Sequence, residues 1–330
     1  MKKFRVMETA VCFLLAGILC ALSVLWAVPA LTGKPSESQS ASGVVRLWNI
    51  DTFEGGKGSR TAFLNRVAAG YEKENPGIFV MVSSYTPEGA AAAFAEGNFP
   101  DMLSFGPGFS AVAEKCARLD FPGFSGGTIA GECRAVPWCR GGYALFSLEE
   151  DFSAVAAENT VVSAGGGNLP RVAAALFSLG NAAEEESTSA YVRFLNGKYQ
   201  YLLGTQRDIC RFASRGVNVF CRPLGEFSDL YQYIAVLAEE ERDREICKEY
   251  LDCLLGEENQ KKLTGIGMLS PYYDIYGADE PLADELERIT ARYTVSAFAT
   301  ADALKSANDA AKSVQEGGSA EVLKNFLKAI

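Results

Sequence analysis

Short apolar runs alternate with amphipathic stretches through the first half of the chain body. Val44-Val45-Arg46-Leu47-Trp48-Asn49-Ile50 reads as a buried strand that ends in the polar, glycine-bearing stretch 51–59. Phe63, Leu64, Val67, Ala68 and Tyr71 recur at helical spacing, and Asn75-Pro76-Gly77 stops that helix. A second strand follows at 78–82. Strand, helix, strand in this order predicts parallel pairing. An alanine-rich helix over 88–96, a third strand over 101–105 and a helix over 110–118 complete an open α/β layer.

Two strand-like runs, Ala135-Val136-Pro137-Trp138 and Tyr143-Ala144-Leu145-Phe146-Ser147, flank Gly141-Gly142, which reads as a crossing between two lobes. Further strands are expected at 161–164, 199–203, 217–221 and 230–236. Helices are expected at 190–196 and from Thr205, a candidate N-cap. Pro223-Leu224-Gly225 marks a second crossing. From Arg242 the chain is mainly helical, with stretches at 242–255, 259–263, 282–293 and 320–330.

The N-terminus has a different pattern. Residues 9–33 carry no charge, and 10–31 form a mostly apolar run behind Lys2, Lys3 and Arg5. A span of roughly 20 residues crosses the hydrocarbon, whereas secretory cores run about 7–15. The run is read as a signal anchor, or else as a long signal peptide cut after Val28-Pro29-Ala30. Either places the body outside the membrane. The serine-rich segment 34–43 reads as a flexible tether.

Composition narrows the chemistry. Of 330 residues none is histidine, which removes Ser-His-Asp and Cys-His catalysis and imidazole-bearing metal sites. Gly123-Phe124-Ser125-Gly126-Gly127 matches a nucleophile elbow in spelling, but without a base it reads as a glycine-rich loop. The net charge is −10, and the cations of the N-terminal run leave the body more acidic still. Such a body offers no cationic face for nucleic acid. No P-loop string occurs. Nine cysteines include no CxxC pair, and the seven outside the apolar run, an odd number, read as small buried thiols, many of them unpaired. Gly165-Gly166-Gly167 before a helix reads as turn geometry rather than an anion cradle.

Four stretches together resemble the extracellular solute-binding proteins of bacterial ABC importers, carbohydrate-type (family 1). They are Val45-Arg46-Leu47-Trp48-Asn49-Ile50-Asp51; Tyr71-Glu72-Lys73-Glu74-Asn75-Pro76-Gly77-Ile78-Phe79-Val80; Gly97-Asn98-Phe99-Pro100-Asp101-Met102-Leu103; and Ala135-Val136-Pro137-Trp138 with Gly141-Gly142-Tyr143. The likeness extends through Met268-Leu269-Ser270. It implies an α/β, two-lobed periplasmic-binding-protein-like clamshell. The body is short for that group between Phe146 and Tyr199, which implies a reduced second lobe. The expected organisation is 1–33 anchor or signal peptide, 34–43 tether, 44–137 first lobe, 138–228 second lobe, and 229–330 a helical return to the first lobe.

The function implied is non-enzymatic capture of a small polar ligand, a sugar or oligosaccharide, by a monomer that hands it to ABC permease subunits. No catalytic residue, metal or cofactor is expected. A clamshell that senses or interacts without transport is the alternative, and a carboxylate-based glycoside hydrolase a third class. Strand ends and polar loops nominate Trp48, Asp51, Asp101, Ser104, Trp138, Gln206, Arg207 and Tyr231 as ligand contacts, because open α/β sheets bind at the carboxyl ends of their strands.

Overall fold

The computed structural model describes residues 43–165 and 169–328. In chain order, β1 (Gly43–Ile50), α1 (Arg60–Glu74), β2 (Ile78–Tyr85), α2 (Pro87–Ala95) and β3 (Met102–Phe105) build the first lobe. A two-stranded hairpin, β4 (Thr128–Ile129) and β5 (Glu132–Cys133), leads to β6 (Val136–Arg140). Then come β7 (Tyr143–Ser147), β8 (Thr160–Ser163), α3 (Pro170–Leu176), β9 (Ala183–Glu185), α4 (Ser187–Leu195), β10 (Tyr201–Thr205), α5 (Gln206–Arg215) and β11 (Phe220–Pro223). The chain ends through β12 (Phe227–Ser228), β13 (Tyr231–Val236), α6 (Glu241–Leu255), α7 (Glu257–Lys261), α8 (Pro281–Glu287), β14 (Tyr293–Thr294), α9 (Ala301–Gln315) and α10 (Ala320–Leu327).

Two five-stranded sheets result, ordered β2-β1-β3-β13-β6 and β11-β7-β10-β8-β9. In the first, β1 runs parallel to β2 and β3, while β13 is antiparallel to β3 and β6. The stretch between Phe146 and Tyr199, where the sequence is short, carries β8, α3, β9 and α4, so the second sheet has as many strands as the first.

The chain leaves the first sheet at Gly141-Gly142 and returns between β11 and β13. A Cβ on Gly141 would stand 2.2 Å from Gln206 Oε1, so glycine is needed for that approach. Arg140 ties the crossing down. Its backbone pairs with Leu269, and its guanidinium donates to the carbonyls of Ser270 at 3.1 Å, Ile289 at 3.2 Å and Glu287.

The C-terminal helices divide between the lobes, which corrects the expectation that all of 229–330 returns to the first. α6 packs on α1 and β1, but α8 packs on α5 and β11, and α9 on α3. The expected helix over 110–118 is also absent beyond one short turn at Ser110–Val112. Ala117 N–H instead donates to Val236 O at 2.8 Å, and Leu119 N–H to Cys133 O at 2.9 Å. The first of these tertiary bonds takes a donor the expected helix would use, and the second holds the chain just beyond it.

All seven described cysteines are unpaired, and five are buried. Burial pushes the Cys116 thiol up to about 12, so it packs as a small hydrophobe rather than a nucleophile. Among the described residues no helix is long and apolar enough to cross a membrane. The 10–31 run, most of the tether and most of the Gly165-Gly166-Gly167 stretch lie outside the described residues.

Candidate functional site

The loop after β1 is set by α1. Ser59 caps that helix, its Oγ accepting from Ala62 N–H at 3.2 Å. Arg60, 2% exposed, pairs through Nε with Asp51 at 2.8 Å, donates to Phe53 O and lies 4.1 Å over the Phe53 ring. Asn49 Nδ2 holds Asp51 from the other side at 3.0 Å. Residues 51–54 are thereby pinned at the carboxyl end of the first sheet.

A cleft of about 650 Å³ opens there, within the range of small-molecule sites. Asp51 and Thr52 line one edge, the 107–111 loop after β3 another, and α2 with Phe99 the wall. Ala301 and Leu304 of α9 close it from the side of the second lobe. Its polar groups are few. Asp51 is already paired, whereas Thr52 Oγ1 is buried with no partner. Its flat faces are Phe94, Phe99 and Phe109.

The aromatic wall has depth. Tyr85 stacks on Trp48 with centroids 4.1 Å apart, Trp48 on Phe94 at 5.9 Å, and Phe94 on Phe99 at 5.1 Å. Trp48, 5% exposed, is the inner member of this stack and backs the cleft without lining it.

The other nominated residues fall in five places. Asp51 alone lines the cleft. Ser104 and Trp138 are fully buried beneath it: Trp138 Nε1 and Gln232 Nε2 each donate to Ser104 Oγ at 3.0 Å, and Ser104 donates to Asn49 Oδ1 at 2.8 Å. Tyr231 is core, packed on Phe124 and Tyr233.

Asp101 sits at the amino end of β3, on the far side from the cleft, where Arg46 donates to it from its backbone N–H at 2.8 Å and its guanidinium at 3.0 and 3.1 Å. Gln206 and Arg207 start α5 and face the first lobe's loop: Gln206 Nε2 donates to Glu54 O at 3.1 Å, and Arg207 pairs with the Glu54 carboxylate. Burial and a saturated hydrogen-bond set thus take Trp48, Asp101, Ser104, Trp138 and Tyr231 out of the cleft lining. Thr52, Phe94, Phe99, Phe109 and Leu304 take their place. Among the described residues no group of three or more acidic or cysteine side chains could hold a metal ion.

No family model and no curated protein matches the chain. Solved structures do. The sugar-binding protein MalE from Xanthomonas citri is 16% identical with a TM-score of 0.59, over 86% of this chain and 95% of its own. The maltose-maltodextrin binding protein of Alicyclobacillus acidocaldarius is 13% identical at 0.58, over 87% and 99%. The cyclic alpha-maltosyl-1,6-maltose binding protein from Arthrobacter globiformis is 11% identical at 0.58, over 87% and 97%. At such identities the likeness is one of fold: the chain has the two-lobed α/β fold of these periplasmic binding proteins.

Proposed function

We propose that the protein is a binding protein, not an enzyme, which captures a small polar ligand between its lobes. A sugar or oligosaccharide is the ligand class favoured. The observation that carries the reading is the cleft itself: it lies at the carboxyl ends of β1 and β3, is walled by three phenylalanines and is closed by a helix from the other lobe. Sugars present apolar C–H faces to such rings and hydroxyls to groups such as Thr52 and Asp51. The solved proteins of the same fold are described as sugar binders, which supports this ligand class. Delivery to ABC permease subunits by a monomer, from a position at the outer face of a membrane, completes the proposal. It rests on the sequence resemblance and on the basic and apolar N-terminal run.

A thermal-shift screen of the body against mono- and oligosaccharides, amino acids and polyamines tests the proposal. A ligand at 100-fold over its dissociation constant adds about 2.7 kcal/mol to stability. Stabilisation by an oligosaccharide that Phe109→Ala sharply reduces supports the cleft. A flat response to every carbohydrate overturns the ligand class.

A further inference from the structure

One acidic side chain of the first lobe is spent on the second. Glu54, in the loop that Arg60 pins, sends its carboxylate across to the strand ends of the second sheet. There Glu54 Oε2 accepts from Ser187 Oγ at 2.8 Å, and the other oxygen pairs with Arg207. Ser187 is 1% exposed and is itself oriented, since Arg211 donates to its Oγ at 2.9 Å while pairing with Asp208 at 3.0 Å. The first N–H groups of α4 are already taken by the Glu186 side chain, so the seat is built of side chains rather than of a helix end. Thr52, two residues before Glu54, lines the cleft, so the loop that serves the cleft also fills the seat.

We propose that Ser187 and Arg207 form a carboxylate-binding seat on the second lobe, which Glu54 occupies from within and which receives the carboxylate of an acidic ligand, such as a sugar acid, when the lobes part. A guanidinium with an oriented hydroxyl is a charge-assisted pair of donors suited to one carboxylate. In a body with so many acids, an internal carboxylate held there keeps the cation matched while no ligand is bound. The Glu54 contact then holds the lobes together in the empty protein. Glu54 competes as a tethered group at high effective concentration, so it sets the threshold for an incoming acid. The proposal rests on the cleft reading only in placing the ligand between the lobes.

The test compares D-glucuronate with D-glucose, which share a ring and differ in the carboxylate, by calorimetric titration of the folded body. Glu54→Ala should bind glucuronate at least about ten-fold more tightly than the parent, with no such gain for glucose. Adding Arg207→Ala should cancel the gain. Glu54→Gln serves as a second variant that keeps the side-chain volume, and small-angle scattering should show both Glu54 variants more open than the parent. Equal glucuronate affinity in parent and Glu54→Ala, no glucuronate binding by either, or a gain that survives Arg207→Ala overturns the seat. Binding of neutral oligosaccharides to the parent is a separate measurement, so the carbohydrate reading and the seat can fail independently.

Discussion

Trp138 Nε1 donates to Ser104 Oγ at 3.0 Å, in a site from which water is excluded on every side. The serine also accepts from Gln232 and donates to Asn49, so one hydroxyl joins β1, β3, β6 and β13 directly beneath the cleft. Ser104→Ala should cost about 1–3 kcal/mol in stability, because two buried donors and one acceptor lose a partner. Urea unfolding followed by tryptophan emission measures it. A cost near zero would mean that the network is not formed.

Trp48 and Phe109 should separate stability from binding. Trp48 is the buried inner ring of the wall, so Trp48→Ala should destabilise by about 3–5 kcal/mol. Phe109 is half-buried and lines the cleft, so Phe109→Ala should leave a folded protein with ligand affinity weakened by about 2 kcal/mol. Unfolding curves and titration of a ligand from the screen check the two in parallel. The reverse pattern would exchange their roles.

Arg60 positions the loop that carries Thr52 and Glu54. Arg60→Met keeps an unbranched side chain for the buried site but removes the guanidinium that lies over Phe53 and bonds Asp51 and Phe53 O. Amide exchange in 51–55 should accelerate, and ligand affinity should fall with it. Unchanged exchange would show that the loop holds without the guanidinium.

Glu287 gives a pH signature. Burial pushes its carboxyl up, against the two backbone N–H groups of Ile275 and Tyr276 that favour the ionised form. A group whose pKa is higher folded than unfolded holds its proton more tightly in the native state. Its stabilising effect is therefore full below the ordinary value of 4.5 and is lost as pH rises through the raised one. Glu287→Gln keeps an acceptor for both N–H groups and cannot ionise. Between pH 4.5 and the raised value the parent should lose stability relative to this variant. Parallel pH curves for the two proteins would contradict the assignment.

Sequence alone determined the order of elements from β1 to β3 and the glycine crossing, because strand alternation, helical spacing and turn residues act locally; the 106–135 stretch, held by tertiary bonds, it did not. It also reached the loop after β1, since a polar stretch behind a buried strand marks a strand's carboxyl end. It did not decide which face of a strand is left uncovered. β1 buries Leu47 and Asn49 on one side and Trp48 and Ile50 on the other. Both faces are covered, as in open α/β sheets, so a tryptophan at a strand end goes to the core.

The helix that closes the cleft was illegible for a related reason. Ala301–Gln315 has few large apolar residues, and Ala307 and Ala311 are its only fully buried ones among the described residues. Its apolar stripe, Leu304, Ala307, Ala311 and Val314, is narrow and half alanine, a weak signal in sequence, yet these small side chains let α9 pack on α3 and bring Leu304 to the cleft. Glu54 looked like one more acid in a polar loop. Its partners stand 133 and 153 positions further along the chain, and only the meeting of the two lobes brings them to it.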